Sequence, residues 1–492
     1  MIRQACLCGW MLAFVCLISA KPAQAQFDGL LKRIPPSANA LVLIDVDAVH
    51  KSPKAIRERW QETYETEYMK RGLILPPEAS RIALAAQLNQ KDDMSANWEL
   101  AVMDLNDAIS MRSVARSEGG YVDEINGAAS AWTPSNAYFV ELDPKLMGVM
   151  YPDNRQAVAR WTQFGQTNDE VLLSSYLQLA AERVNREGQI VMALDMSEAM
   201  QPHALEETLA TLELFEGKMD VDLRGIADAL MGLQGLTLAV NIGDEPKGKV
   251  WIEFDRDIKA LKPFAKQLAL TALEKHGATI EDLKKWKFDI GYNTITMEGP
   301  MTESAMRRVF SVLEIPSTKF STVDEEEVTA SDGNPTVGAS QTYFSSLTVL
   351  IDDLRKGIVG KTTSTSLWMD RYARKIDRMP ILNVDEELLA FGASVSASFR
   401  VMSGAKKTSA VRKGVRQSNT YGNYYRTGYG GRYGGRHTRY GYGVSASSQR
   451  ARISTQERAK ANTVKFDEFE KIENSLAAIR QRMTQKYMVE FQ

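Results

Sequence analysis

Two stretches of the chain read as copies of one another, and a duplicated chain has to build its core twice from a single plan. Ala40-Leu-Val-Leu-Ile-Asp-Val-Asp-Ala-Val-His50 is a strand-like apolar run, followed by Ser52-Pro53 and a helical start at Lys54. Gln189-Ile-Val-Met-Ala-Leu-Asp-Met196 repeats the plan, with Gln201-Pro202 and a helical start at His203. Farther on, Trp98-Glu-Leu-Ala-Val-Met-Asp104 matches Val250-Trp-Ile-Glu-Phe-Asp255. Both matches share a spacing of about 150 residues, which is how an internal repeat shows itself. Within each copy, short strands rich in Val, Ile and aromatics alternate with helical stretches, and Gly243-Asp-Glu-Pro-Lys-Gly248 marks a hairpin. The expectation is α+β: two related α+β domains, at 26–170 and 171–316, each a mixed or antiparallel sheet with helices on one face.

The first 25 residues set the compartment. Arg3 precedes an apolar stretch from Ala5 to Ala20, and Ala23-Gln24-Ala25 has the small-x-small form of a leader cleavage site. The stretch is shorter than the roughly 20 residues that span a bilayer. It reads as a signal peptide cleaved after Ala25, and the protein as extracytoplasmic, periplasmic or secreted. All three cysteines (Cys6, Cys8 and Cys16) fall inside it, so residues 26–492 hold no thiol. That excludes disulfides, cysteine nucleophiles and cysteine-ligated zinc there. Taking Arg3 and Lys21 from the 60 Lys and Arg leaves 58 against 62 Asp and Glu, so the mean charge selects no partner. No later run reads as a transmembrane span.

Past an acidic, Ser/Thr-rich linker at 317–340, which contains Asp324-Glu-Glu-Glu327, the pattern turns helical. Tyr343, Leu347, Leu350 and Leu354 make one apolar stripe; Trp368, Tyr372 and Ile376 a second; Leu388, Val395, Phe399 and Met402 a third. A C-terminal amphipathic helix at 456–492 carries Phe466, Phe469, Ile472, Leu476, Ile479, Met483 and Tyr487 at spacings of three or four. Four such stripes predict one C-terminal bundle that includes the helical region 341–404, and the last offers a coiled-coil-like surface for oligomerisation.

One segment is strongly biased. From Leu388 to Gln456 there is no acidic residue and there are twelve Lys or Arg, and Thr420 to Gly443 holds eight Gly and seven Tyr. Lacking aliphatic residues for a core, 405–455 reads as a disordered basic Gly/Tyr/Arg-rich insertion. Arg426, Arg432, Arg436 and Arg439 can each grip phosphate, sulfate or carboxylate with two N–H groups, and Tyr429, Tyr433 and Tyr440 can stack on sugars. These seven are the candidate binding residues; the alternative reading of the tract is a solvated spacer that binds nothing in particular. Export turns the expectation from nucleic acid toward an anionic envelope polymer, a polysaccharide or a protein partner.

The catalytic motifs are incomplete. Val42-Leu-Ile-Asp45-Val-Asp47 resembles the first motif of haloacid-dehalogenase-type phosphatases, in which the first Asp attacks phosphorus, the second is acid/base and Mg2+ neutralises the phosphate. That motif needs a later acidic pair, and Gly243-Asp244 is followed at the required position by Gly248. Gly357-Ile-Val-Gly-Lys361-Thr362 imitates a phosphate loop, but Arg355 stands where its first Gly belongs. Ser403-Gly-Ala-Lys406 lacks the partner motifs of a serine acyltransferase, and His50, His203, His276 and His437 are isolated. The sequence supplies no catalytic set, metal site or cofactor motif.

Trp368-Met-Asp-Arg-Tyr-Ala-Arg-Lys-Ile-Asp-Arg-Met-Pro380, then Asn383-Val-Asp385, a Gly/Tyr/Arg tract and Met483-Thr-Gln-Lys-Tyr-Met-Val-Glu-Phe491 together resemble a group of exported proteins of planctomycete-type bacteria. Ile34-Pro-Pro-Ser-Ala-Asn-Ala40 after the leader fits the same group. The resemblance implies an extracytoplasmic location and assigns no functional residue. The combined expectation is an exported, non-enzymatic binding or scaffold protein of the cell envelope; the alternative is a Mg2+-dependent phosphatase using Asp45 and Asp47.

Overall fold

The computed structural model describes residues 26–61, 78–90, 94–134, 136–197, 199, 202–210, 212–215, 221–275, 278–311, 335–359, 365–377, 379, 384–426 and 446–491. The first half runs α1 (Asp28–Leu31), β1 (Ala40–Asp45), α2 (Val46–His50), α3 (Pro53–Arg57), β2 (Ala79–Asn89) and β3 (Ser95–Leu105). It continues α4 (Met111–Glu118), β4 (Tyr121–Ile125), β5 (Ala128–Thr133), β6 (Ala137–Asp143), β7 (Leu146–Tyr151), α5 (Arg155–Thr167) and α6 (Ser175–Ala181). The second half holds β8 (Ile190–Asp195), α7 (Pro202–Ala210), α8 (Leu223–Met231), β9 (Leu233–Asn241), β10 (Lys247–Phe254), α9 (Ala265–Lys275), β11 (Lys287–Ile290), β12 (Thr294–Pro300) and α10 (Glu303–Phe310). Then come α11 (Pro335–Val359), α12 (Ser366–Asp377), α13 (Glu386–Arg426) and α14 (Ala446–Tyr487).

The copies do not form two sheets. Among the described residues they share one 12-stranded sheet, ordered β11-β12-β10-β9-β8-β1-β2-β3-β7-β6-β5-β4, antiparallel at every ladder. Outward from the β1–β8 seam, β2, β3, β7 and β6 on one side answer β9, β10, β12 and β11 on the other. Val42 pairs with Met192 at the seam. The row runs on through Leu84, Ala101, Val149 and Phe139 in the first half and through Leu238, Val250, Met297 and Phe288 in the second. All ten side chains belong to one apolar cluster, so the seam is also the middle of a core. The row corrects one sequence match: counting from Ala101 and Val250, Asp104 corresponds to Glu253, not Asp255.

Helices cover both faces of the first half rather than one. Ile82 and Met103 pack with α2, α4 and α10, while the alternate residues Ala83 and Val102 pack with α1, α5 and α6. Strands apolar on both sides need cover on both sides. The halves differ beyond the seam. β4 and β5, joined by Asn126-Gly127 at φ 52° and 78°, extend only the first half. Trp161 of α5 lies against Gly148, where a Cβ would come within 2.2 Å of the ring. Thr296 holds the matching place in the second half, and there α10 crosses to the opposite face.

The four expected stripes close a single bundle. Phe344, Leu347 and Leu354 of α11, Met369 and Tyr372 of α12, Leu388, Phe399 and Met402 of α13, and Ile472, Ile479 and Met483 of α14 share one core. Phe466 is the exception, 58% exposed. The expected linker at 317–340 is cut short, because α11 already begins at Pro335; Asp324 to Glu327 lie outside the described residues.

Candidate functional site

The strand-end carboxylates come first. Asp45 caps α2: its Oδ1 accepts the Ala48 N–H at 2.8 Å and its Oδ2 accepts Asn185 Nδ2 at 2.7 Å. Asp195, its counterpart across the seam, caps the turn after β8 in the same way, accepting the Ser197 N–H at 3.0 Å. Asp47 is solvent-facing, 3.6 Å from Lys51. Both neighbours of β1 run antiparallel to it, and Asp244 is engaged with Arg57 at 3.0 Å. This arrangement turns Asp45 toward backbone rather than toward an open anion site. Ser403 donates to the Ser366 carbonyl at 2.9 Å inside the bundle. Gly357 to Val359 end α11, and Lys361 and Thr362 lie outside the described residues, as do His276 and His437. Among the described residues no three His, Asp or Glu converge as a metal site.

A buried ionic joint ties body to bundle. Arg308 of α10 donates to the carbonyl oxygens of Thr279 at 3.4 Å and Asp353 at 3.1 Å. Arg307 and Arg308 each approach the Asp353 carboxylate at 3.7 Å. Tyr372 donates to that carboxylate at 2.5 Å, and Trp368 Nε1 donates to the Thr279 carbonyl at 2.9 Å. Burial, then the Asp353 charge, pushes the Tyr372 hydroxyl well above its ordinary value. Every contact is internal, so the cluster fastens two units.

The site with chemistry turned outward is the hairpin of α13 and α14. At 1.5 Å per residue each helix is about 60 Å long. Near the body both arms are core. Among the described residues no member of the bundle core lies beyond Met402 on α13 or before Phe469 on α14. Glu386–Ala405 is long and apolar enough to cross a membrane by length and composition; its inner residues Leu388, Phe391, Val395, Phe399 and Met402 are bundle core. Beyond the bundle the arms hold each other. Ser409 donates to the Glu457 carbonyl at 3.0 Å, Arg416 reaches the Glu457 carboxylate at 2.7 Å, and Lys460 stands 3.7 Å from it. The Arg416 hydrogen bond, then the charges of Lys460, Arg416 and Arg412, hold the Glu457 carboxyl below its ordinary value. Burial pushes the Lys465 amine down.

Charge is what distinguishes this shaft. Its described helical stretches carry Lys406, Lys407, Arg412, Lys413, Arg416 and Arg426 on one arm, and Arg450, Arg452, Arg458, Lys460 and Lys465 on the other. Glu457 is the single acid between 405 and 465, and its side chain is 3% exposed. Arg412, Arg416, Arg452 and Lys460 are solvent-exposed.

The expectation of a disordered insertion over 405–455 therefore needs correcting: 405–426 and 446–455 are helical. Lack of acids marks charge bias, not flexibility, and Ala, Lys, Arg and Val fill most of 405–416. The dense glycines begin only at Gly428. Arg426 ends α13; Tyr429, Arg432, Tyr433, Arg436, Arg439 and Tyr440 lie outside the described residues. The basic residues that composition missed as a site are those on the shaft. The signal was present as two helix-forming, acid-poor runs flanking the glycines.

No family model and no curated protein matches the chain. Among solved structures it is similar to TP0453 in crystal form I, with TM-score 0.35, 9% identity, and 58% of this chain and 97% of that chain covered. For crystal form III the values are 0.34, 10%, 57% and 96%, and for crystal form IV 0.29, 7%, 57% and 95%.

Proposed function

We propose that this protein is exported and acts without catalysis, as a binding or scaffold protein of the cell envelope that engages an anionic polymer through the Gly/Tyr/Arg tract and the hairpin bearing it. The observation that carries the reading is charge segregation: one helical hairpin concentrates basic residues around a single covered acid while the whole chain is nearly neutral. Arginines presented this way suit multivalent contact with phosphate, sulfate or carboxylate. The leader-like N-terminus and thiol-free remainder support an extracytoplasmic setting. The test is retention of the chain from Gln26 on a sulfated-polymer column as NaCl rises from about 50 to 500 mM. Binding is expected at low salt and release as the charges are screened; retention that ignores salt would refute the electrostatic basis.

A further inference from the structure

We infer that the shaft of the hairpin is a docking surface, and that its occupant is a linear polyanion lying along the two arms. The inference rests on the anionic-polymer reading and specifies where and what. From Arg452 to Lys460 the second arm rises about 12 Å; both residues are exposed, as are Arg412 and Arg416 on the arm packed against it. The charges are spread along a rod, which suits a chain with repeated anionic groups better than a single small anion. Glu457, covered between the arms, already shows the pairing on offer, with a carboxylate held by Arg416 and flanked by Lys460. Arg412 and Arg452 remain exposed.

A bilayer is the competing occupant. Interfacial helices bury an apolar face among the lipid chains, whereas the contact proposed here is electrostatic, through the exposed Arg412, Arg416, Arg452 and Lys460.

Arg412→Gln, Arg452→Gln and Lys460→Gln combined remove three exposed charges and leave the Arg416–Glu457 pair in place. Circular dichroism should show unchanged helix content. Binding to dextran sulfate at about 50 mM NaCl should weaken by about tenfold or more, and the slope of log Kd against log salt should fall by about two to three. The comparison protein carries Arg432→Gln, Arg436→Gln and Arg439→Gln. If the shaft variant binds as the unaltered chain does while the tip variant fails, the shaft inference is overturned and the polymer reading stands. If the unaltered chain ignores dextran sulfate at low salt, both fall. Tighter binding to phosphatidylglycerol vesicles than to dextran sulfate at matched charge would replace the polymer by a bilayer and overturn the inference.

Discussion

Arg308, its side chain 4% exposed, is surrounded by the Asp353 carboxylate and two backbone carbonyls. Removing one partner of a buried ion pair strands the other, at about 3–5 kcal/mol. Asp353→Ala should therefore lower stability by that order in urea titrations monitored by Trp fluorescence. Asp385 behaves differently. Burial works to raise its carboxyl, but hydrogen bonds from Lys486 and Tyr487 outweigh it and hold the group below its ordinary 3.8. A carboxyl lowered on folding stabilises above its unfolded value, and that contribution disappears as pH falls through the folded one. Asp385→Asn should be the weaker protein at pH 7, and its deficit should shrink as pH falls below the ordinary carboxyl value of 3.8. At Asp45 the expected loss is a cap, about 1 kcal/mol for Asp45→Ala. Aryl phosphate hydrolysis with Mg2+ should stay at background in both that variant and the parent chain; turnover lost on the substitution would restore the phosphatase.

At the scale of elements, the fourth wall of the bundle is supplied by α14, whose Phe469, Ile472, Ile479 and Met483 are buried within the same chain. A chain ending near Ser454 should expose the faces of α11 to α13 and lose much of their helix signal; light scattering then reports whether α14 also joins copies together. Helices were the legible elements here. Apolar residues at three- and four-residue spacing in Tyr343 to Leu354 and Leu388 to Met402 announce their inner faces directly. The repeat was legible too, though only to within two residues, since strand matches tolerate a shift that keeps facing the same way. The shaft was not. Its described inner positions are small or charged (Ser409, Ser454, Glu457, Ala461, Lys465) and leave no apolar stripe, and its order depends on the opposite arm, which composition cannot display.

For the whole molecule, the seam makes stability collective. Ile44 pairs with Ile190 across it, and both are buried in the cluster that spans the two halves. Ile44→Ala should cost about 2–5 kcal/mol and raise hydrogen exchange in β2–β3 and β9–β10 alike; exchange confined to the first half would show that the halves unfold separately.

Val42 meets, in Met192, the residue that fills its own place in the other copy. A shorter ancestral gene encoding only one copy would have left β1 as a bare edge able to join the identical strand of a sister polypeptide. The present chain has the layout of such a homodimer fused end to end. The two halves now differ: one carries β4 and β5 beyond the shared strand order, and the other leads into the helices that carry the hairpin.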